Sequence, residues 1–298
     1  MRIIKEEKIE EGASRAIYLL WKAQDNSLVE SSVLYIHERP IQWVICLPSS
    51  LGCQMGCSIC AIPKKMNPRN LSFSELNKMF SLSLELIDTS GQFQVSFMGQ
   101  GEPFLNIGNI FQFCSLACSQ YHNLMIGFST VGIANGIREL SFKDWASKVK
   151  LQISLHAWPP SKRIKIIPAE KKYPIKHSID ESILFAKKVG KKVFLSYAVF
   201  QDFNDSESDA FKIARLALSG SFCIKVCEFN PVPCCKYKPS YDENIIKFCK
   251  ILQSEGIDYY RFRSIGTSIG VGCGQTRMER IDFSDPQSQF PSKIKISF

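Results

Sequence analysis

The chain has 298 residues, 45% of them apolar, and a formal charge of +9. That length suits one large domain, or one domain with a small extension, around a sizeable core. The charge admits a polyanionic partner such as nucleic acid without requiring one. Twelve cysteines follow a charged opening stretch with no apolar run of spanning length. This excludes a secreted disulfide scaffold and a membrane span, and makes a reducing cytoplasm the expected compartment.

In chain order, residues 14–46 read as strands separated by turn signals: 15–23, 28–36 and 41–46. A cysteine-rich loop follows, then an amphipathic helix over 72–87 with Ser72 or Ser74 as its cap. Strands are predicted at 94–98, 124–130, 149–157, 191–200, 221–229 and 259–264. Helices are predicted at 107–119, 179–189, 206–217 and 242–255. About six βα units imply an α/β fold with a parallel sheet and helices outside it. With the chemical motif in the first βα loop, the expected architecture is a partial (βα)6 TIM-like barrel whose site lies at the strand C-termini. The expected divisions are an N-terminal β extension over 1–40, a barrel with a catalytic C-terminal loop over 41–285, and a tail over 286–298.

Cys53, Cys57 and Cys60 form a Cys-x3-Cys-x2-Cys cluster. Three thiolates this close can hold three irons of a [4Fe–4S] cluster and leave the fourth iron open to a small molecule. A zinc knuckle would need a fourth Cys or His nearby. None lies between Gly52 and Arg69, and His37 is too far upstream. Gly99-Gln100-Gly101-Glu102-Pro103 follows a predicted strand, where glycines permit close backbone approach and Glu102 can accept from an ammonium group. Ser129-Thr130-Val131-Gly132-Ile133, Ser154-Leu155-His156-Ala157 and Asn230-Pro231 stand at further strand ends, where polar groups can grip a ribose or a carboxylate. Cys114, Cys118, Cys223, Cys227 and Cys249 fall inside regular elements and are expected to be inert core thiols. Cys273 differs, because the glycines around it make packing a poor reason for its presence. Cys234 and Cys235 lie in a loop and take no assignment.

Taken together, these motifs resemble the radical S-adenosylmethionine (SAM) RNA adenosine methylases of the RlmN/Cfr type. The resemblance runs from about Arg15 to Gln275 and includes Cys46-x6-Cys53-x3-Cys57-x2-Cys60, Arg69-Asn70-Leu71, Gly99 to Pro103 with Asn106, Arg163, Asn204-Asp205, Asn230-Pro231-x-Pro233 and Cys273-Gly274-Gln275. Gly-Glu-Pro looks more like the RlmN branch. The resemblance implies a [4Fe–4S] cluster on Cys53, Cys57 and Cys60, with SAM on the open iron. It also implies SAM contacts from Gly101, Glu102, Ser129, Ser154, Leu155, His156 and Asn230. A first SAM would methylate Cys273, and a second would supply the radical that activates this methyl group for addition to an adenine ring carbon, carbon 2 favoured. Cys46 would release the product by attacking the Cys273 sulfur. Glu30 matches the family's proton acceptor, with one extra residue before Cys46.

The implied partners are rRNA or tRNA and an electron donor such as flavodoxin or ferredoxin, with no membrane and a monomeric chain. Lys64, Lys65 and Arg69, beside the cluster loop, are the expected phosphate contacts. The family's N-terminal helical domain is expected to be absent, and Ser268 to Gly272 replace its acidic residues before the methylated cysteine. Two other readings remain open: the same chemistry on a small nucleoside, nucleotide or peptide, and an iron–sulfur RNA-binding protein without turnover.

Overall fold

The computed structural model describes residues 1–37, 39–62, 68–232, 235–270, 272, 274 and 275. Strands β1 (Arg2–Glu11), β2 (Ser14–Lys22) and β3 (Leu28–Tyr35) form an antiparallel meander that pairs with β4 (Trp43–Leu47). The short strands β5 (Ser50–Leu51) and β6 (Arg69–Asn70) pair across the cysteine loop. There follow α1 (Phe73–Leu84), β7 (Phe93–Phe97), α2 (Ile107–Gln120), β8 (Leu124–Thr130), α3 (Ala134–Leu140) and β9 (Val149–Ser154). The chain continues through α4 (Pro160–Arg163), α5 (Ile175–Val189), β10 (Val193–Val199), α6 (Glu207–Leu218), β11 (Phe222–Glu228), α7 (Asp242–Ser254) and β12 (Tyr259–Phe262).

Apart from the separate β5–β6 pair, these strands make one ten-stranded sheet in the order β1-β2-β3-β4-β7-β8-β9-β10-β11-β12. From β4 onward every pairing is parallel. Each crossover carries a helix, because parallel neighbours need a long return connection that covers the sheet. The expected α/β architecture is therefore present: six βα units, from β4–α1 to β11–α7, followed by β12.

Local chemistry explains the starts of the helices. Ser72 Oγ accepts from the Glu75 amide and Glu75 returns a bond to the Ser72 amide, so a capping box begins α1. Helix α5 starts at Ile175, earlier than its periodicity predicts, because the Glu170 carboxylate accepts from the Ile175 amide at 3.1 Å. Two elements escape sequence reading. Strand β1 alternates charged residues with few apolar ones, as an edge strand that must resist pairing with strangers does. Helix α3 is short and contains Gly136, which has no Cβ because the Phe104 ring packs against it.

The two faces of the parallel sheet differ. Val95, Phe97, Ile126, Phe128, Leu151, Ile153, Leu195, Tyr197, Ile224 and Val226 point outward into one apolar core with the helices. The alternate residues Gln94, Ser96, Ser129, Lys150, Gln152, Ser154, Ser196 and Lys225 point inward and line a cavity of about 340 Å³. Parallel strands covered on both faces read as continuous apolar runs. These alternate instead, since one face is covered by helices and the other encloses a site.

Candidate active site

The cysteine loop leaves β4 and is clamped at its base by the β5–β6 ladder. Cys53, Cys57 and Cys60 are half-buried and line the cavity together with Cys46 on β4. Gly56, between the first two cysteines, has φ +67, a left-handed turn that brings the chain back on itself. The loop is tied from outside: the Ser58 amide donates to Ile166 O and the Ala61 amide to Gly274 O, each at 2.9 Å. Burial pushes the Cys53 thiol up to about 11, with the neighbouring Cys60 adding to the effect. Burial raises Cys57 further, and the other two thiols again oppose its ionisation. Three crowded, desolvated thiols are poor anions by themselves and good ligands for a cationic group that neutralises them. Among the described residues, no group of His, Cys, Asp or Glu side chains converges on the position of a single metal ion.

The Gly99–Pro103 turn packs over the mouth of the loop. Gly101 has φ +95, and a Cβ there would collide with the hydroxyls of Ser49 and Ser50. The glycine thus serves loop packing as well as any ligand approach. Glu102 is buried and accepts from the Phe104 amide at 3.2 Å and the Val131 amide at 2.8 Å. It ties the β7 and β8 loops together, and burial raises its carboxyl to about 7. The Gln100 side-chain amide is buried in the same cavity, and among the described residues neither of its polar atoms has a hydrogen-bond partner.

At the next strand ends, the Ser129 and Ser154 hydroxyls stand 3.5 Å apart. His156 adopts φ +54, and its Nδ1 accepts from the Ala198 amide at 3.0 Å. The ring is therefore neutral with its proton on Nε2, and desolvation depresses its pKa to about 3. Asn204 holds this backbone in place by donating to His156 O at 2.6 Å and Ala198 O at 2.7 Å. Arg163, wholly buried, donates to Leu155 O at 3.1 Å and Ser154 O at 2.8 Å, and also to Val131 O, while pairing with Glu170. One guanidinium thus fixes the ends of β8 and β9. Asn230, after β11, donates to Ser264 Oγ at 2.9 Å and lines the cavity.

No family model matches the chain. The probable dual-specificity RNA methyltransferase RlmN of Chlorobium luteolum is 34% identical over 278 residues, covering 90% of this chain and 75% of the relative. The protein of the same name from Dictyoglomus thermophilum is 33% identical over 267 residues, covering 87% and 75%. The chain belongs to the RlmN family of radical SAM methyltransferases. A crystal structure of a radical SAM methyltransferase from Sphaerobacter thermophilus superposes with a TM-score of 0.82 at 26% identity, covering 92% of this chain and 80% of that one. Streptococcus suis SuiB bound to S-adenosylmethionine shares the fold, with a TM-score of 0.56 at 14% identity over 74% of this chain and 52% of that one.

A radical SAM enzyme requires SAM and an iron–sulfur cluster, and the residues present fit both. Three thiols share one cavity with an orphaned buried amide at Gln100 and a row of strand-end hydroxyls. Of the residues that the RlmN resemblance assigns to SAM, Gly101, Glu102, Ser129, Ser154, His156 and Asn230 line this cavity. Leu155 does not: its side chain is fully buried in the apolar core.

Cys46 faces the cavity opposite Ser32 of β3, and Glu30 lies along the same strand with one oxygen accepting from Tyr18 Oη at 2.7 Å. Cys273, Lys64, Lys65, Pro233, Cys234 and the 286–298 tail lie outside the described residues. The neighbours of Cys273, Gly272 and Gly274, line the cavity. Arg69 departs from the expected phosphate contact, since its guanidinium already pairs with Asp25 at 3.0 Å and Glu75 at 2.9 Å. Cys114, Cys118 and Cys249 are buried as expected, whereas Cys227 lines the cavity. Sequence reasoning missed Lys150, Gln152, Ser196 and Lys225. The available signal was polar alternation within strands of a parallel sheet.

Proposed function

We propose that the chain methylates an adenine ring carbon, carbon 2 favoured, in rRNA or tRNA through a methylated cysteine at Cys273. Bound SAM and cluster would supply the methyl group and the 5′-deoxyadenosyl radical that an unreactive ring carbon demands. The observation that carries this reading is that Cys46, Gly272 and Gly274 line the same cavity as Cys53, Cys57 and Cys60. Ordinary methyl transfer or RNA binding would need neither Cys46 nor Cys273.

In this reading Cys46 acts last. Its thiolate attacks the Cys273 sulfur and the sulfur–carbon bond breaks. The electron pair of that bond goes to the methylene carbon, which takes a proton from solvent to become the product's methyl group. A disulfide forms that an external thiol or reductant reopens. Glu30, oriented by Tyr18, takes the proton lost when the ring carbon is rearomatised. The tied loops of Glu102 and Arg163 hold the strand ends in register, and the cavity walls exclude water from the reacting atoms. The electron donor is an external protein such as a flavodoxin or ferredoxin, and the enzyme works as a monomer in the cytoplasm. Among the described residues no helix is long and apolar enough to cross a membrane. An adenine is accessible to such a site once unstacked in an RNA loop.

The test is the Cys46→Ala variant, incubated anaerobically with SAM, reductant and total RNA. It should accumulate as a covalent protein–RNA adduct through Cys273, identified by mass. Normal release of methylated product by this variant would overturn the mechanism.

A further inference from the structure

We propose that the floor of the cluster cavity is an oxyanion site in which Lys150, Lys225 and the Ser196 hydroxyl hold the phosphate of a nucleotide. The proposal goes beyond the methylation reading and does not depend on it.

Lys225, on β11, is 5% exposed, and its Nζ donates to Gln152 Oε1 at 3.2 Å. Gln152 in turn donates to Ser129 Oγ at 3.2 Å, which fixes the orientation of the amide. The Lys225 ammonium sits 3.8 Å from the centre of the Phe262 ring, and the Lys150 ammonium 4.5 Å from that of Phe194. Aromatic faces therefore support both cations from the wall and leave their other donors for the cavity. Arg39 adds a third positive charge on the same lining.

Among the described residues, no carboxylate forms an ion pair with either lysine. The three acids on the cavity lining are engaged elsewhere: Glu102 accepts from the Phe104 and Val131 amides. Glu228 is held by Arg261 at 2.6 Å and Arg263 at 2.7 Å, and Glu30 by Tyr18 at 2.7 Å. Two like charges, one buried and one half-buried, oppose folding when no counter-ion is paired with them. Burial together with repulsion from Lys225 and Arg39 lowers Lys150 to about 8.

Ser196 is an independent pointer. It is 3% exposed and lines the cavity, and among the described residues its hydroxyl has no hydrogen-bond partner. Register places it beside Ser154 on β9 and Lys225 on β11. A phosphate, with several acceptor lone pairs and one or two negative charges, satisfies the hydroxyl and both ammonium groups together. Lys150 lies four residues before Ser154 on the same strand, but its side chain reaches the level of Lys225. Its ammonium is 5.6 Å from the centre of the ring of Tyr260, the register partner of Lys225.

The experiment is calorimetric titration of the full chain, kept anaerobic at low salt, with each of the four nucleoside monophosphates and its parent nucleoside. At least one monophosphate should bind about tenfold or more tighter than its nucleoside, the worth of a charge-assisted contact. Inorganic phosphate should compete with it. Lys150→Gln and Lys225→Gln should each abolish the phosphate-dependent gain, Ser196→Ala should reduce it, and the exposed control Lys187→Gln should keep it. A gain with a base other than adenine would support the site while removing adenine as the target base, so the two failures are distinguishable. Displacement of the monophosphate by a single-stranded RNA oligomer would assign the phosphate to a polymer, and binding of the free nucleotide alone would assign it to a small molecule. Equal affinity of every monophosphate and its nucleoside for the unaltered chain would overturn the proposal, and so would a gain that survives both lysine substitutions. The first of these outcomes needs no variant to fold.

Discussion

The outer and inner faces of the parallel sheet are built from the same strands yet obey different rules. On β9 the outward residues Val149, Leu151 and Ile153 are buried among the helices, while Lys150, Gln152 and Ser154 face the cavity. The outer face gains free energy from every side chain it removes from water. The inner face gathers polar and charged groups that a maximally stable protein would not enclose. Stability therefore resides on one face and chemistry on the other.

The largest expected effect sits on the inner side. Replacing Cys53, Cys57 and Cys60 by Ala should abolish cluster formation and methylation while leaving the apolar core intact. Iron content and visible absorbance after anaerobic reconstitution check this, and a retained cluster would move the site elsewhere. On the outer face, Phe128 is fully buried and stacks on Phe97 and Phe104, with ring centres 5.4 Å apart in each pair. Phe128→Ala should cost about 3–5 kcal/mol in denaturant unfolding, with cluster content per folded molecule unchanged. A smaller loss would mean that the outer core tolerates cavities.

A third substitution sets the two faces against each other. The folded-state pKa of Lys150 is depressed from 10.5 to about 8, so the unfolded chain binds more protons between those values. Stability of the parent chain should rise with pH across that window, and below it the half-buried charge exerts its full cost. Lys150→Met should remove this slope and stabilise the apo protein at neutral pH by up to about 3 kcal/mol, while abolishing anion binding. Parallel melts of both proteins from pH 7 to 11 would show it, and an unchanged slope would place the lysine in water. The smallest effect belongs to the scaffold: Ser72→Ala removes the α1 capping box and should cost about 1 kcal/mol, with no change in ligand affinity.

Much of this molecule is legible from its residues alone. The alternation of strands and helices, the cysteine spacing and the strand-end motifs are local patterns, and local patterns are what backbone geometry reads directly. Strand β1 and helix α3 were not legible. A charged edge strand forms because β2 offers it a ladder, and a short Gly-containing helix forms because Phe104 packs on it.

For the site, the chain itself names the thiols, Glu102, His156 and Asn230, whose spacing and strand-end placement carry the signal. Only the tertiary structure decides that Glu102 ties two loops, that Arg69 is already neutralised, and that Leu155 points into the core. It alone brings Lys150, Ser196 and Lys225 to one cavity, from three strands as much as 75 residues apart in sequence. Periodicity tells which side of a strand a residue occupies. Which other strands share that side is settled by the pairing order and curvature of the whole sheet, and these depend on contacts between distant residues.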